Sequence, residues 1–244
     1  MDIIYGRNPV GELLKSDSDI DKIYVNKEIS DPSLKSLLAK AGERRLIISY
    51  CTRQKLDELC QTTKHQGIAA MIPQATYVSV KDILDFAKEK GEDPFIFIAD
   101  EITDPHNLGA IIRTANVCGA HGVIIPKRRN ATVSSTVAKA SAGAVSVTKI
   151  ARVNNLHNTI EELKKNNIWV YGLEADGDDY YYNKDLTGPA AIVVGSEGFG
   201  MNRIVREACD VIVKIPVMGE INSLNASVAA GVLAFEIVRQ RNKK

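Results

Sequence analysis

Glycines, a carboxylate and small polar side chains gather in two loops of the last quarter of the chain. An apolar run over residues 190–195, AAIVVG, opens into Ser196-Glu197-Gly198-Phe199-Gly200-Met201. A second run, over residues 211–215, opens into Pro216-Val217-Met218-Gly219-Glu220-Ile221-Asn222-Ser223-Leu224-Asn225. Each loop leads into a helical pattern, so both offer backbone amides at one edge of a sheet. Open α/β sheets bind their ligands at that edge. Glu197, Ser223 and Asn225 add one carboxylate and two small polar groups, a lining suited to a neutral grip on a purine ring rather than to hydrolysis. No G-x-G-x-x-G follows a strand, and neither G-x-x-x-x-G-K-[ST] nor G-x-S-x-G occurs; the usual dinucleotide, triphosphate and serine-hydrolase sites are excluded. Each residue also has a purely structural reading: Ser223 or Asn225 as N-cap of a helix over 226–240, and Glu197 as a dipole partner for the following helix.

A third segment is equally distinctive. The apolar run over 95–99, FIFIA, leads into DEITDPHNLGAIIRTAN. Leu108, Ile111, Ile112 and Ala115 share one helical face, which leaves Arg113 and Asn116 on the other. Asn107 stands where an N-cap is expected. Arg113 either faces solvent or sets its planar donor fork against a phosphate.

The elements that must position these residues divide near residues 73–94. Residues 1–73 alternate short apolar runs (20–25, 46–50, 67–72) with helical patterns (32–41, 52–61), an α/β module whose last strand Pro73 ends. Residues 74–93 form a linker with an amphipathic helix, apolar at Ile83, Leu84 and Ala87 and closed by Gly91. Residues 94–244 form a second α/β domain. Its strands at 95–99, 122–125, 168–171, 190–194 and 211–215 are separated by helical patterns, which predicts a mainly parallel sheet.

Composition sets the class. The 244 residues are 45% hydrophobic and 25% charged, with no apolar run near the roughly 20 residues of a membrane span. The start of the chain lacks a signal-peptide layout, so a cytoplasmic location is expected. Four scattered cysteines and four scattered histidines suggest neither a metal site nor a disulfide framework. The net charge of +1 hides an asymmetry: residues 105–160 contain no Asp or Glu but carry Arg113, Lys127, Arg128, Arg129, Lys139, Lys149 and Arg152. Such a stretch attracts a polyanion whatever the global sum, although Lys127, Arg128 and Arg129 read equally as a solvated basic face.

Together, NLGAIIRTA at 107–115, IVVGSEGFG at 192–200 and IPVMG with SLNASVA at 215–219 and 223–229 resemble the three motifs of the SpoU (TrmH) RNA ribose 2'-O-methyltransferases of the SPOUT superfamily, in the same order and spacing. YGRNPV at 5–10 and KHQGIA at 64–69 are similar to the ribosomal-protein-like substrate-binding module many members carry. The resemblance implies a C-terminal trefoil-knotted domain, a homodimer with sites near the subunit interface, and S-adenosylmethionine as cofactor, with no metal. It assigns Leu173, Gly195, Ile215, Met218 and Leu224 to the cofactor and Asn107, Arg113, Glu197, Ser223 and Asn225 to the catalytic site. RNA contacts are expected from Arg113, Lys127, Arg128 and Arg129. The nearest branch methylates a guanosine of 23S rRNA; a tRNA ribose methyltransferase and a non-catalytic ribosome-assembly factor are the alternatives.

Overall fold

The structure is a computed structural model and describes residues 2–16, 19–28, 32–72 and 77–242. The chain forms two compact units, Met1–Thr76 and Tyr77–Lys244. The predicted strand end at Pro73, and the boundary placed there, lie outside the described residues.

In the first unit, strands β1 (Asp2–Tyr5), β2 (Lys22–Asn26), β3 (Ile48–Cys51) and β4 (Ile68–Ile72) form a sheet in the order β1-β4-β2-β3. Strand β4 is buried at four of its five positions because it runs antiparallel between β1 and β2. Helices α1 (Arg7–Lys15), α2 (Pro32–Glu43) and α3 (Arg53–Cys60) cover the sheet; Val10, Leu14, Ile23, Leu34 and Ile68 form the core under α1 and α2. Strand β1 and helix α1 were not anticipated. The turn that joins them needs Gly6, at φ +93°, and helix α1 has no side-chain N-cap; instead the Arg7 amide donates to Gln66 Oε1 at 3.0 Å.

The second unit is built on a sheet that is parallel throughout. Its strands are β5 (Phe95–Ala99), β6 (Gly122–Pro126), β7 (Ile150–Val153), β8 (Trp169–Leu173), β9 (Asp179–Tyr180), β10 (Ala190–Val194) and β11 (Val211–Lys214), in the order β7-β6-β5-β10-β8-β11-β9. Strands β5 and β10 are neighbours at the centre and are buried at every position, as unbroken apolar runs should be when both faces are covered. The chain runs outward from β5 through β6 to β7 and then crosses to β8 on the far side of β10, so the winding reverses about the central β5–β10 pair. Ligands bind at the carboxyl ends of strands beside such a switch. Strands β7 and β9 were missed: the four residues of β7 lie in the basic stretch, and β9 has only two.

The expected linker is not a free connector from Tyr77 onward. Helix α4 (Val80–Lys90) begins with a capping box between Ser79 and Asp82 and ends at Gly91 in a left-handed conformation. Its Val80 and Ile83 pack into the same core as Ile96, Ile98 and Ile124, so the helix belongs to the second unit. Helices α5 (Pro105–Val117) and α9 (Ala226–Arg241) pack together, and α5 also lies against α6 (Ser135–Ala140). That second contact depends on Gly109, where a Cβ would stand 2.5 Å from the Ala140 Cβ.

Candidate functional site

The carboxyl ends of β8, β10 and β11 open into a cavity of about 650 Å³, within the size range of small-molecule sites. Leu173, Gly195, Ile215 and Leu224 line it, as do Glu174, Glu197, Ser223 and Asn225. Four of the five expected cofactor residues therefore meet at one place. Met218 does not: it is 96% exposed and outside the lining.

The loop after β10 is held tightly. Ser196 and Gly200 exchange backbone hydrogen bonds of 2.9 and 3.0 Å, folding the segment back on itself. The close approach requires Gly195, because a Cβ there would lie 2.3 Å from the Gly200 carbonyl carbon and from the Met201 nitrogen. Gly200 sits at φ +69°, and the Met201 amide donates to Glu174 Oε1 at 2.6 Å. One residue on, the Asn202 amide donates to Asp100 Oδ2 at 2.7 Å. Asp100 is buried, which pushes its carboxyl pKa up, while the Asn202 hydrogen bond pulls it back. Asp100 and Glu174 were missed by sequence reasoning; the available signal was an acid directly following an apolar strand, at the ligand edge of the sheet.

Three of the expected catalytic residues form one network. Asn107 Nδ2 donates to Glu197 Oε1 at 3.0 Å. Asn225 Nδ2 donates to the same carboxylate oxygen and, at 2.9 Å, to Asn107 Oδ1. The Ala226 amide points to Glu197 Oε1 as well, at 3.4 Å. Helix α5, the loop after β10 and the start of α9 are thus joined through a single carboxylate. Asn225 serves twice, since its Oδ1 caps α9 by accepting from the Ser227 and Val228 amides while its Nδ2 holds Glu197. The capping reading of Asn225 is met, and its Nδ2 also joins the network at the cavity.

Asn107 is not the N-cap. Asp104 caps α5 by accepting from the His106 amide, and Pro105 fills the first helical position, so the helix starts earlier and Asn107 is 8% exposed inside its first turn. Arg113 lies on the exposed face of α5, with no hydrogen bond or ion pair among the described residues, and is not part of the cavity lining. Ser223 lines the cavity and is exposed. The basic triplet is not uniform: Arg129 is paired with Glu101 at 3.3 Å, Lys127 is half-buried and Arg128 is exposed. Among the described residues, no group of three or more His, Cys, Asp or Glu side chains is arranged to hold a metal, and no helix is long and apolar enough to cross a membrane.

An all-parallel sheet with a small-molecule cavity at the carboxyl ends of its strands defines a ligand-binding α/β protein. Comparison with known proteins makes the class specific. Residues 94–235 match the SpoU rRNA Methylase family, and residues 3–78 match the RNA 2'-O ribose methyltransferase substrate-binding family. A Bacillus subtilis protein described as a TrmH family tRNA/rRNA methyltransferase, YacO, is 44% identical over 241 residues, covering 99% of this chain and 96% of that protein. A Staphylococcus aureus relative with the same description is 43% identical over 98% of this chain and 96% of its own. Among solved structures, the SpoU methyltransferase AviRb of Streptomyces viridochromogenes, in complex with AdoMet, superposes with a TM-score of 0.62 at 24% identity, covering 98% of this chain and 90% of that one. The chain belongs to the SpoU (TrmH) family of RNA methyltransferases.

Proposed function

We propose that this protein transfers a methyl group from S-adenosylmethionine to the 2'-oxygen of one ribose in structured RNA, a guanosine of 23S rRNA. The Asn107–Glu197–Asn225 network carries the reading, because it locks the cavity loops to the helix that presents Arg113. The cavity suits the cofactor. Leu173, Ile215 and Leu224 supply apolar walls for an adenine, and the bare Gly195 lets the strand end and the folded loop close up beside them. Met218 belongs to the rim, in contact only with a bound cofactor that extends beyond the cavity. When bound, S-adenosylmethionine supplies an electrophilic methyl group.

The protein's own groups must align the ribose and manage its proton. A guanidinium stays protonated in essentially every protein environment, and a phosphate beside it reinforces that state. Arg113 therefore acts as a phosphate clamp and stabilises the developing alkoxide, while the proton passes to water or to another acceptor. Asn107, Glu197 and Asn225 hold the loops, and Ser223 contacts the ligands at the cavity mouth. Arg128 and Lys127 add phosphate contacts; Arg129 adds less because Glu101 already pairs with it. The first unit, with 11 Lys/Arg against 10 Asp/Glu in residues 1–74, contributes selectivity through local contacts rather than net charge. The reading includes the trefoil knot, rare as knots are in proteins. It also includes a homodimer, for which the exposed Val117 of α5 and Val228 and Phe235 of α9 provide apolar surface.

Methyl transfer by Arg113→Lys across pH tests the role of Arg113. Loss of rate at every pH supports a clamp that needs the planar fork. Transfer at the normal rate would show that a point charge suffices and would contradict it.

A further inference from the structure

Phe199 is the residue this reading leaves without a use. Its ring is 95% exposed, yet Phe199 lines the mouth of the cavity. Its loop is fixed on both sides: the Ser196–Gly200 backbone pair closes it, and Glu197, two residues before Phe199, is tied to Asn107 and Asn225. A large apolar ring held out in water by a rigid loop gains nothing in the free protein. Its contribution appears only when another surface covers it.

The helix to which this loop is tied indicates what that surface is. Asn107 connects the Phe199 loop to α5, and Arg113 lies six residues further along that helix, about 9 Å at 1.5 Å per residue. Arg113 is exposed and unpaired among the described residues, and the acid-free stretch 105–160 surrounds it in sequence. An exposed aromatic face suits an unstacked RNA base, and the free guanidinium on the helix to which its loop is tied suits a phosphate of the same RNA. We propose that Phe199 is a stacking platform for an RNA base at or next to the methylated ribose, so that it positions the nucleotide over the cavity. The proposal rests on the RNA methyltransferase reading above. It adds a substrate-positioning residue at the cavity mouth, in a loop whose backbone and Glu197 already shape the cofactor side.

The test compares the full-length wild type with Phe199→Trp, Phe199→Leu and Phe199→Ala, using an unmodified 23S rRNA transcript. RNA affinity is measured by filter binding without cofactor, S-adenosylmethionine affinity by calorimetry, and subunit association by sedimentation. Loss of one base stack is expected to weaken RNA binding by about 5- to 150-fold in the Leu and Ala variants. Phe199→Trp should keep wild-type RNA affinity, and all three variants should keep cofactor affinity and oligomeric state. Wild-type RNA binding by Phe199→Leu would overturn the proposal. So would a cofactor affinity that falls with ring removal, which makes Phe199 a cofactor lid, or a changed oligomeric state, which makes it a subunit contact. A wild-type protein that transfers no methyl group to ribose would refute the functional reading instead, and the RNA-affinity series would still decide the role of Phe199.

Discussion

Replacing Asn225 by Ser separates the two duties of this residue. Serine is as good an N-cap as asparagine, so its hydroxyl continues to accept from the α9 amides. The Nδ2 donors are lost, and with them the bonds to Glu197 and Asn107. A hydrogen bond to a charged group contributes about 1.5–3 kcal/mol and a neutral one about 0.5–1.5 kcal/mol. Because Glu197 and Asn225 are exposed, the lower ends apply, which gives about 2 kcal/mol in favour of the observed loop arrangement. A cofactor that binds only this arrangement then loses affinity in proportion to its population, by up to about 30-fold. Calorimetric titration with S-adenosylmethionine measures the loss, and thermal unfolding reports the cap separately. Asn225→Ala should lose the same affinity plus about 1 kcal/mol of stability from the missing cap. An Asn225→Ser protein that binds the cofactor like wild type would refute the claim that the network organises the cavity.

Other substitutions probe neighbouring parts of the argument. Gly195→Ala forces a methyl group against the Gly200 and Met201 backbone, which cannot rotate away; about 1–3 kcal/mol of destabilisation is expected in thermal unfolding, whereas Gly188→Ala, with no atom within 4 Å of the added methyl, should cost far less. Equal melting temperatures for the two would contradict the packing argument. His121 is 1% exposed and its Nδ1 accepts from the Phe95 amide at 3.0 Å, so the ring is neutral; burial depresses its pKa more than Glu92 raises it. Its contribution to stability is therefore present above the ordinary histidine value of about 6.5 and is lost as pH falls through the lower folded value, a slope that urea titrations of His121→Gln should lack. Arg128→Ala should lower the salt dependence of RNA binding by about one unit of log–log slope, and Arg129→Ala by less because of Glu101; the reverse order would relocate the contact surface.

The sequence made the central sheet legible because β5 and β10 are fully buried, which writes each as an unbroken apolar run. It could not reveal β9, since two residues have no period, nor β1, whose pairing with β4 joins positions about 70 residues apart. Asn107 was recognised but misplaced: Asp104 and Asn107 are both competent caps, and only Pro105 at the first helical position settles the start. Asp100 and Glu174 carried one signal only, an acid directly after an apolar strand; their partners are backbone amides of a loop that folds back on itself, a contact no side-chain spacing encodes. Arg129 looked like a free cation until the fold brought Glu101 beside it.

Nucleoside mass spectrometry of rRNA and tRNA from cells lacking the gene, and from the same cells complemented with it, tests the proposed reaction most directly. The account predicts that one 2'-O-methylguanosine disappears from 23S rRNA and returns on complementation. An unchanged set of ribose methylations, or the loss of a base methylation in its place, would contradict it.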